Sequence, residues 1–62
     1  MIGENIRRIR KQQKLSQQTL GDMVGATRQT ISCWERGITK PSRFSIMRIV
    51  AALGCDESEI KD

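Results

Sequence analysis

Sixty-two residues with no His, two Cys, two aromatic side chains and a net charge of +4 make one domain, residues 1–62, with a small core and little room for a catalytic pocket. Two cysteines without a Cys-x-x-Cys pair exclude a disulfide framework and a zinc site, and neither a signal-peptide apolar core nor the ~20 apolar residues of a membrane span is present. Residues 1–55 hold ten basic and three acidic residues, whereas residues 56–62 hold Lys61 against Asp56, Glu57, Glu59 and Asp62, so a polyanion partner is expected on the basic body only.

No run alternates β-branched or aromatic residues as a strand would, and the pattern is helical throughout. A first helix is expected from about Ile2 to Gln13, with Ile2, Ile6 and Ile9 on its inner face and Leu15 just beyond. Its other faces carry Arg7, Arg8, Arg10, Lys11 and Lys14. Ser16 is a suitable N-cap for a second helix, Gln17 to Val24, with an apolar stripe of Leu20, Met23 and Val24. Gly25 can take the positive φ that ends it. Gly21, in mid-helix, costs ~1 kcal/mol relative to Ala, so a close approach by the next helix is expected there. Thr27 can cap a third helix, Arg28 to Arg36, which Gly37 ends. Pro41 and Ser42 lead into a fourth helix, about Arg43 to Leu53, with Ile46, Ile49, Val50 and Leu53 inside and Gly54 closing it. A short fifth helix, Glu57 to Lys61, can dock Ile60. The fold class is therefore all-α, with a helix-turn-helix over residues 17–36.

The third helix carries the chemistry. At about 100° per residue, Ile31, Trp34 and Glu35 fall on one side, and Gln29, Ser32, Cys33 and Arg36 on the other, with Arg28 in the first turn. Arg can donate two hydrogen bonds to guanine O6 and N7, Gln can pair with adenine N6 and N7, and small groups can meet a thymine methyl. Arg28, Gln29, Ser32 and Cys33 are thus the candidates for contact with DNA bases, and the N-terminal end of such a helix is the end that reaches them. Trp34, at helical spacing from Ile31, belongs to the core. Glu35 beside it needs a cation, because a buried unpaired charge is costly, and Arg10 of the first helix is the expected partner. Cys33 is expected as a small contact side chain and Cys55 as a buried spacer.

Gln17 opens the second helix, where backbone N–H groups can take a phosphate. The capping Thr27 belongs to the same candidate set, as does Arg10 beyond its pairing with Glu35. The loop from Gly37 to Phe44 adds Lys40 and Arg43, which would raise affinity and salt dependence without reading sequence. Arg7, Arg8, Lys11 and Lys14 are weaker candidates.

With these residues placed, the chain resembles the Cro/repressor helix-turn-helix family, often called XRE-type. The resemblance rests on Leu15-Ser16-Gln17, Leu20, Gly21, Val24-Gly25, Thr27 to Ile31, Trp34-Glu35-Arg36-Gly37, Pro41, Ile46, Ile49 and the run Ala51 to Gly54. It is similar above all to the DNA-binding domains of lambdoid phage repressors and Cro proteins. The resemblance implies a compact five-helix bundle, lambda-repressor-like, that binds operator DNA as a homodimer, and it has a counterpart of the Arg10–Glu35 pair. Arg43-Phe44 departs from the apolar-acidic pair of many members, and Cys33 often corresponds to a longer polar residue.

The function expected is therefore a sequence-specific, DNA-binding transcriptional regulator, a repressor on a pseudo-palindromic operator, in a bacterial cytoplasm or a phage-infected cell. A dimer surface is expected around Cys55, Asp56, Ser58 and Ile60. The alternative is an antitoxin or adaptor that uses the same fold as a protein-interaction module. No cofactor, metal, membrane or small-molecule ligand is expected. Without His, a paired nucleophile and base, or a phosphate loop, an enzyme is not expected either.

Overall fold

The computed structural model describes residues 1–61, so Asp62 of the acidic tip lies outside the described residues. Five helices follow one another: α1 (Ile2–Gln12), α2 (Gln17–Val24), α3 (Arg28–Glu35), α4 (Arg43–Leu53) and α5 (Glu57–Ile60). Three of them start in the same way. Ser16, Thr27 and Ser42 take extended backbone, and each hydroxyl accepts the N–H three residues on, from Thr19, Thr30 and Ser45. This satisfies one of the N–H groups that have no partner inside a helix. At α5 the reverse contact is made, with Glu59 Oε2 accepting the Asp56 N–H at 2.8 Å.

The carbonyls left over at helix C-termini are taken up from elsewhere in the fold. Arg48 of α4 donates Nη1 to Val24 O at 3.5 Å, at the end of α2. Gln13, just past α1, donates to Leu53 O at the end of α4. Asn5 of α1 donates Nδ2 to Ile60 O at 2.7 Å, at the end of α5. Each bond closes a helix end and also fixes that helix against a neighbour, as the C-terminal carbonyls require. The cationic Arg48 suits a C-terminus further, because the helix dipole is negative there.

Three helices end one residue earlier than their periodicity suggests, leaving Gln13, Arg36 and Lys61 outside. After α1 the chain tightens: Gln13 and Lys14 donate to Arg10 O and Lys11 O, and Lys14 adopts φ 59°. A non-glycine residue with positive φ is uncommon, and here it turns the chain so that Leu15 N–H can reach Arg10 O at 3.1 Å. Gly25 takes φ 76° between α2 and α3, the left-handed conformation that only Gly adopts without steric cost.

Ile6, Ile9, Leu20, Val24, Ile31, Trp34, Ile49, Leu53 and Ile60 form the core, with Ile2, Leu15, Ala26, Val50, Ala52 and Cys55 packed around it. Cys55 is half-buried rather than a fully enclosed spacer. Met23, expected in the α2 stripe, is instead 50% exposed. The inward arc of α2 is set by Leu20, Gly21 and Val24, and at about 100° per residue Met23 falls well off its centre. Two buried glycines mark backbone crossings. A Cβ on Gly21 would meet Ala26 O at 2.6 Å, and one on Gly3 would meet Trp34 O at 2.1 Å. It is thus the turn, rather than α3 itself, that approaches Gly21. The start of α1 lies closer still to the end of α3.

Candidate nucleic-acid interface

The two short helices α2 and α3 are held by the Gly21–Ala26 crossing, with Ala26 N–H also donating to Gly21 O at 2.8 Å. Leu20, Val24, Ile31 and Trp34 bury their facing sides. The other side of α3 then stands at the surface, because its residues offer nothing apolar to bury. Arg28 and Gln29 are exposed in its first turn and Ser32 is half-buried one turn on. These three line an open cleft of about 310 Å³ together with Gln17 from the start of α2. Four of the residues singled out in the sequence therefore meet at one place, contributed by two helices. Cys33 is half-buried and is not among the residues lining that cleft. Its backbone carbonyl accepts Ile38 N–H at 3.0 Å, which anchors the loop that follows.

Arg10 and Glu35 lie under the edge of this surface. Arg10 Nε donates to Glu35 Oε2 at 2.6 Å and Arg10 Nη2 to Oε1 at 3.0 Å, with side-chain exposures of 8% and 2%. Arg10 Nη1 donates to Leu15 O at 2.7 Å. The fork-to-fork geometry is the strong form of a charge-assisted pair, and no buried side-chain polar atom among the described residues lacks a partner. With all three guanidinium nitrogens engaged inside, Arg10 is first of all a structural cation. Glu35 Oε1 accepts a further bond from Gln17 Nε2 at 3.1 Å, which no helical periodicity could have announced.

A second depression adjoins the first, lined by Arg7, Arg10, Gln17, Ser32, Glu35 and Arg36. Arg36 is exposed and its Nε approaches Ser32 O at 3.4 Å. Arg36 stands on the outer face of the α3 wheel but was not among the site candidates. Its place four residues after Ser32 was the available signal. Arg7 likewise gains weight from its position here. Since Glu35 is paired with Arg10, this rim is net positive through Arg7 and Arg36.

Thr27 caps α3, its Oγ1 accepting Thr30 N–H at 3.1 Å. Lys40 and Arg43 are exposed on either side of buried Pro41, and Phe44 beside them is 79% exposed. At the other end, Asp56 and Ser58 are exposed and Cys55 is half-buried. Ile60 is a correction: with no exposed surface it belongs to the core, so it offers no side chain to a partner at a dimer surface. The Cys55 thiol is pushed up from its usual pKa, first by burial and then by the charge of Glu59. It is therefore a neutral thiol around neutral pH. No group of His, Cys, Asp and Glu among the described residues could hold a metal ion, and none of the described helices is long and apolar enough to cross a membrane.

An exposed polar face on a short helix, held at a fixed angle to a second short helix across a glycine turn, defines a helix-turn-helix domain. The chain belongs to the helix-turn-helix family, whose model matches residues 6–60. It is 42% identical over 55 residues to the repressor protein C2 of Salmonella phage P22, covering 89% of this chain and 26% of that protein. The chain thus spans about a quarter of that relative's length. It is 44% identical over 54 residues to an uncharacterised HTH-type transcriptional regulator of Methanothermobacter thermautotrophicus, covering 87% of this chain and 78% of that protein. Among solved structures it is similar to the P22 c2 repressor protein in complex with a synthetic operator, with a TM-score of 0.91 and 38% identity over 97% of this chain and 91% of that one.

Proposed function

We propose that this chain is a sequence-specific, double-stranded-DNA-binding transcriptional regulator, a repressor acting in the cytoplasm rather than an enzyme. The observation that carries this reading is the single cleft in which Gln17 meets Arg28, Gln29 and Ser32. In it, donors suited to base edges stand next to a helix N-terminus suited to a phosphate. The similarity to a repressor solved with its operator supports the same reading.

In this mechanism α3 enters the major groove. Arg28 takes a guanine edge, Gln29 an adenine edge, Ser32 either, and Cys33 a thymine methyl. Gln17, Thr27, Lys40 and Arg43 take phosphates, with Arg10 contributing at most its outer edge. Two copies place their third helices ~34–36 Å apart on a pseudo-palindrome. The dimer contact lies around Cys55, Asp56 and Ser58, which keeps the acidic end away from DNA. Selection from a random duplex pool tests this directly. A regulator recovers one consensus with spaced half-sites and loses affinity steeply as salt rises. Recovery of unrelated sequences with equal affinity would reject it and favour an adaptor role.

A further inference from the structure

We infer that Glu35 is a positioning residue for DNA contact: through its Oε1 it holds the Gln17 amide ready for a phosphate before DNA arrives. The inference rests on the DNA-binding reading above and adds to it the means by which the buried ion pair reaches the interface.

One carboxylate joins three helix ends. Glu35 is the last residue of α3, Gln17 the first of α2, and Arg10 stands in the last turn of α1. Arg10 already gives Glu35 both bonds of a bidentate pair, so the charge balance does not need Gln17. The third bond, from Gln17 Nε2 at 3.1 Å, therefore acts on Gln17 rather than on the pair. A carboxylate only accepts, so Gln17 must turn its NH2 group towards it, and the amide is held in one of its two flip states. A phosphate also only accepts, and in this state the second N–H of the same nitrogen is the group left to offer.

The position of Gln17 matches this role. It lines both adjoining depressions, one with Arg28, Gln29 and Ser32, the other with Arg7, Arg10, Ser32, Glu35 and Arg36. It is the wall between the base-facing residues and the arginine rim, where a phosphate backbone bordering the groove would pass. Fixing this long side chain beforehand lowers the ordering cost that binding would otherwise carry. Backbone N–H groups of Gln17 and Gln18, which have no acceptor within the helix, lie beside it. Glu35 thus contributes to affinity without touching DNA.

The test compares Gln17→Ala in two backgrounds, the wild type and the paired variant Arg10→Met/Glu35→Leu. The paired variant keeps the buried volume apolar and folded but removes the acceptor. The duplex is the one selected by the wild-type protein from a random pool, and the order of the Gln17 side-chain amide is followed by 15N relaxation in the free protein. The amide is expected to be ordered in the wild type and mobile in the paired variant. Gln17→Ala is expected to weaken binding about tenfold in the wild type and less than about twofold in the paired variant. An amide equally mobile in both proteins, or equal losses in both backgrounds, would overturn the role of Glu35 alone. Failure to select any duplex would overturn the DNA-binding reading and this inference with it.

Discussion

Gly21 and Ala26 are in backbone contact: a Cβ on Gly21 would stand 2.6 Å from the Ala26 carbonyl oxygen, and the Ala26 N–H returns a bond to Gly21 O at 2.8 Å. This contact sets the angle between α2 and α3. Helix propensity alone says that Gly21→Ala should stabilise α2 by ~1 kcal/mol. The neighbour is backbone and cannot swing aside, so steric strain of ~1–3 kcal/mol wins instead. Gly21→Ala is expected to lower the melting temperature, by ~4–8 °C for each kcal/mol lost in a domain of this size. A raised melting temperature on a thermal scan would show that the turn can yield.

Arg10→Met is expected to be among the most damaging single substitutions. It leaves Glu35 charged and buried, a loss of ~3–5 kcal/mol. That is comparable with the whole stability that a core this small supplies. Arg10→Met/Glu35→Leu removes both charges and is expected to recover most of the loss, since apolar replacement of a buried pair is often neutral. Urea unfolding followed by circular dichroism separates the two. An unchanged urea midpoint for Arg10→Met would mean that the pair does not bear on stability.

Ile60 distinguishes core from interface at the C-terminal end. It has no exposed surface, and α5 is too short to hold itself in place without it. Ile60→Ala is expected to cost ~2–5 kcal/mol at every protein concentration. A contribution to a dimer would instead grow with concentration by mass action. Melting curves over a hundredfold dilution series decide this, and a loss that depends on dilution would return Ile60 to the interface.

What was legible in the sequence was what short-range periodicity and caps encode. Ser16, Thr27 and Ser42 mark the starts of α2, α3 and α4, and the alternation of Ile31 and Trp34 with Gln29 and Ser32 separates the buried side of α3 from its polar side. Arg10–Glu35 was legible because a carboxylate on an apolar face demands a cation and the first helix offers one. Gln17–Glu35 was not, since Gln17 carries no charge that demands a partner. The cross-helix bonds of Asn5, Gln13 and Arg48 to carbonyls of α5, α4 and α2 were not legible either. They join polar side chains to backbone groups whose position depends on the packed fold. Met23 was misplaced because periodicity gives an arc of the helix, whereas the approach at Gly21 decides which part of that arc faces inward. Gly3 was not legible for a related reason: a glycine at a helix start carries no signal of its own, and its role comes from Trp34 O lying against it in the packed fold.

The division between base and phosphate contacts gives the sharpest functional prediction. Gln29 is exposed in the first turn of α3 and lines the cleft, whereas Lys40 is exposed in the loop before α4. Gln29→Ala is expected to cost ~1–3 kcal/mol on the selected duplex and to relax preference at one base position. Random duplex should bind this variant almost as well as it binds the wild type. Lys40→Ala is expected to weaken selected and random duplexes alike and to reduce the slope of log K against log salt by about 1. Fluorescence anisotropy on both duplexes at several salt concentrations measures all of these quantities. Equal losses on the two duplexes for Gln29→Ala would reassign Gln29 to phosphate. An unchanged salt slope for Lys40→Ala would remove Lys40 from the interface and leave the phosphate contacts to Gln17, Thr27 and Arg43.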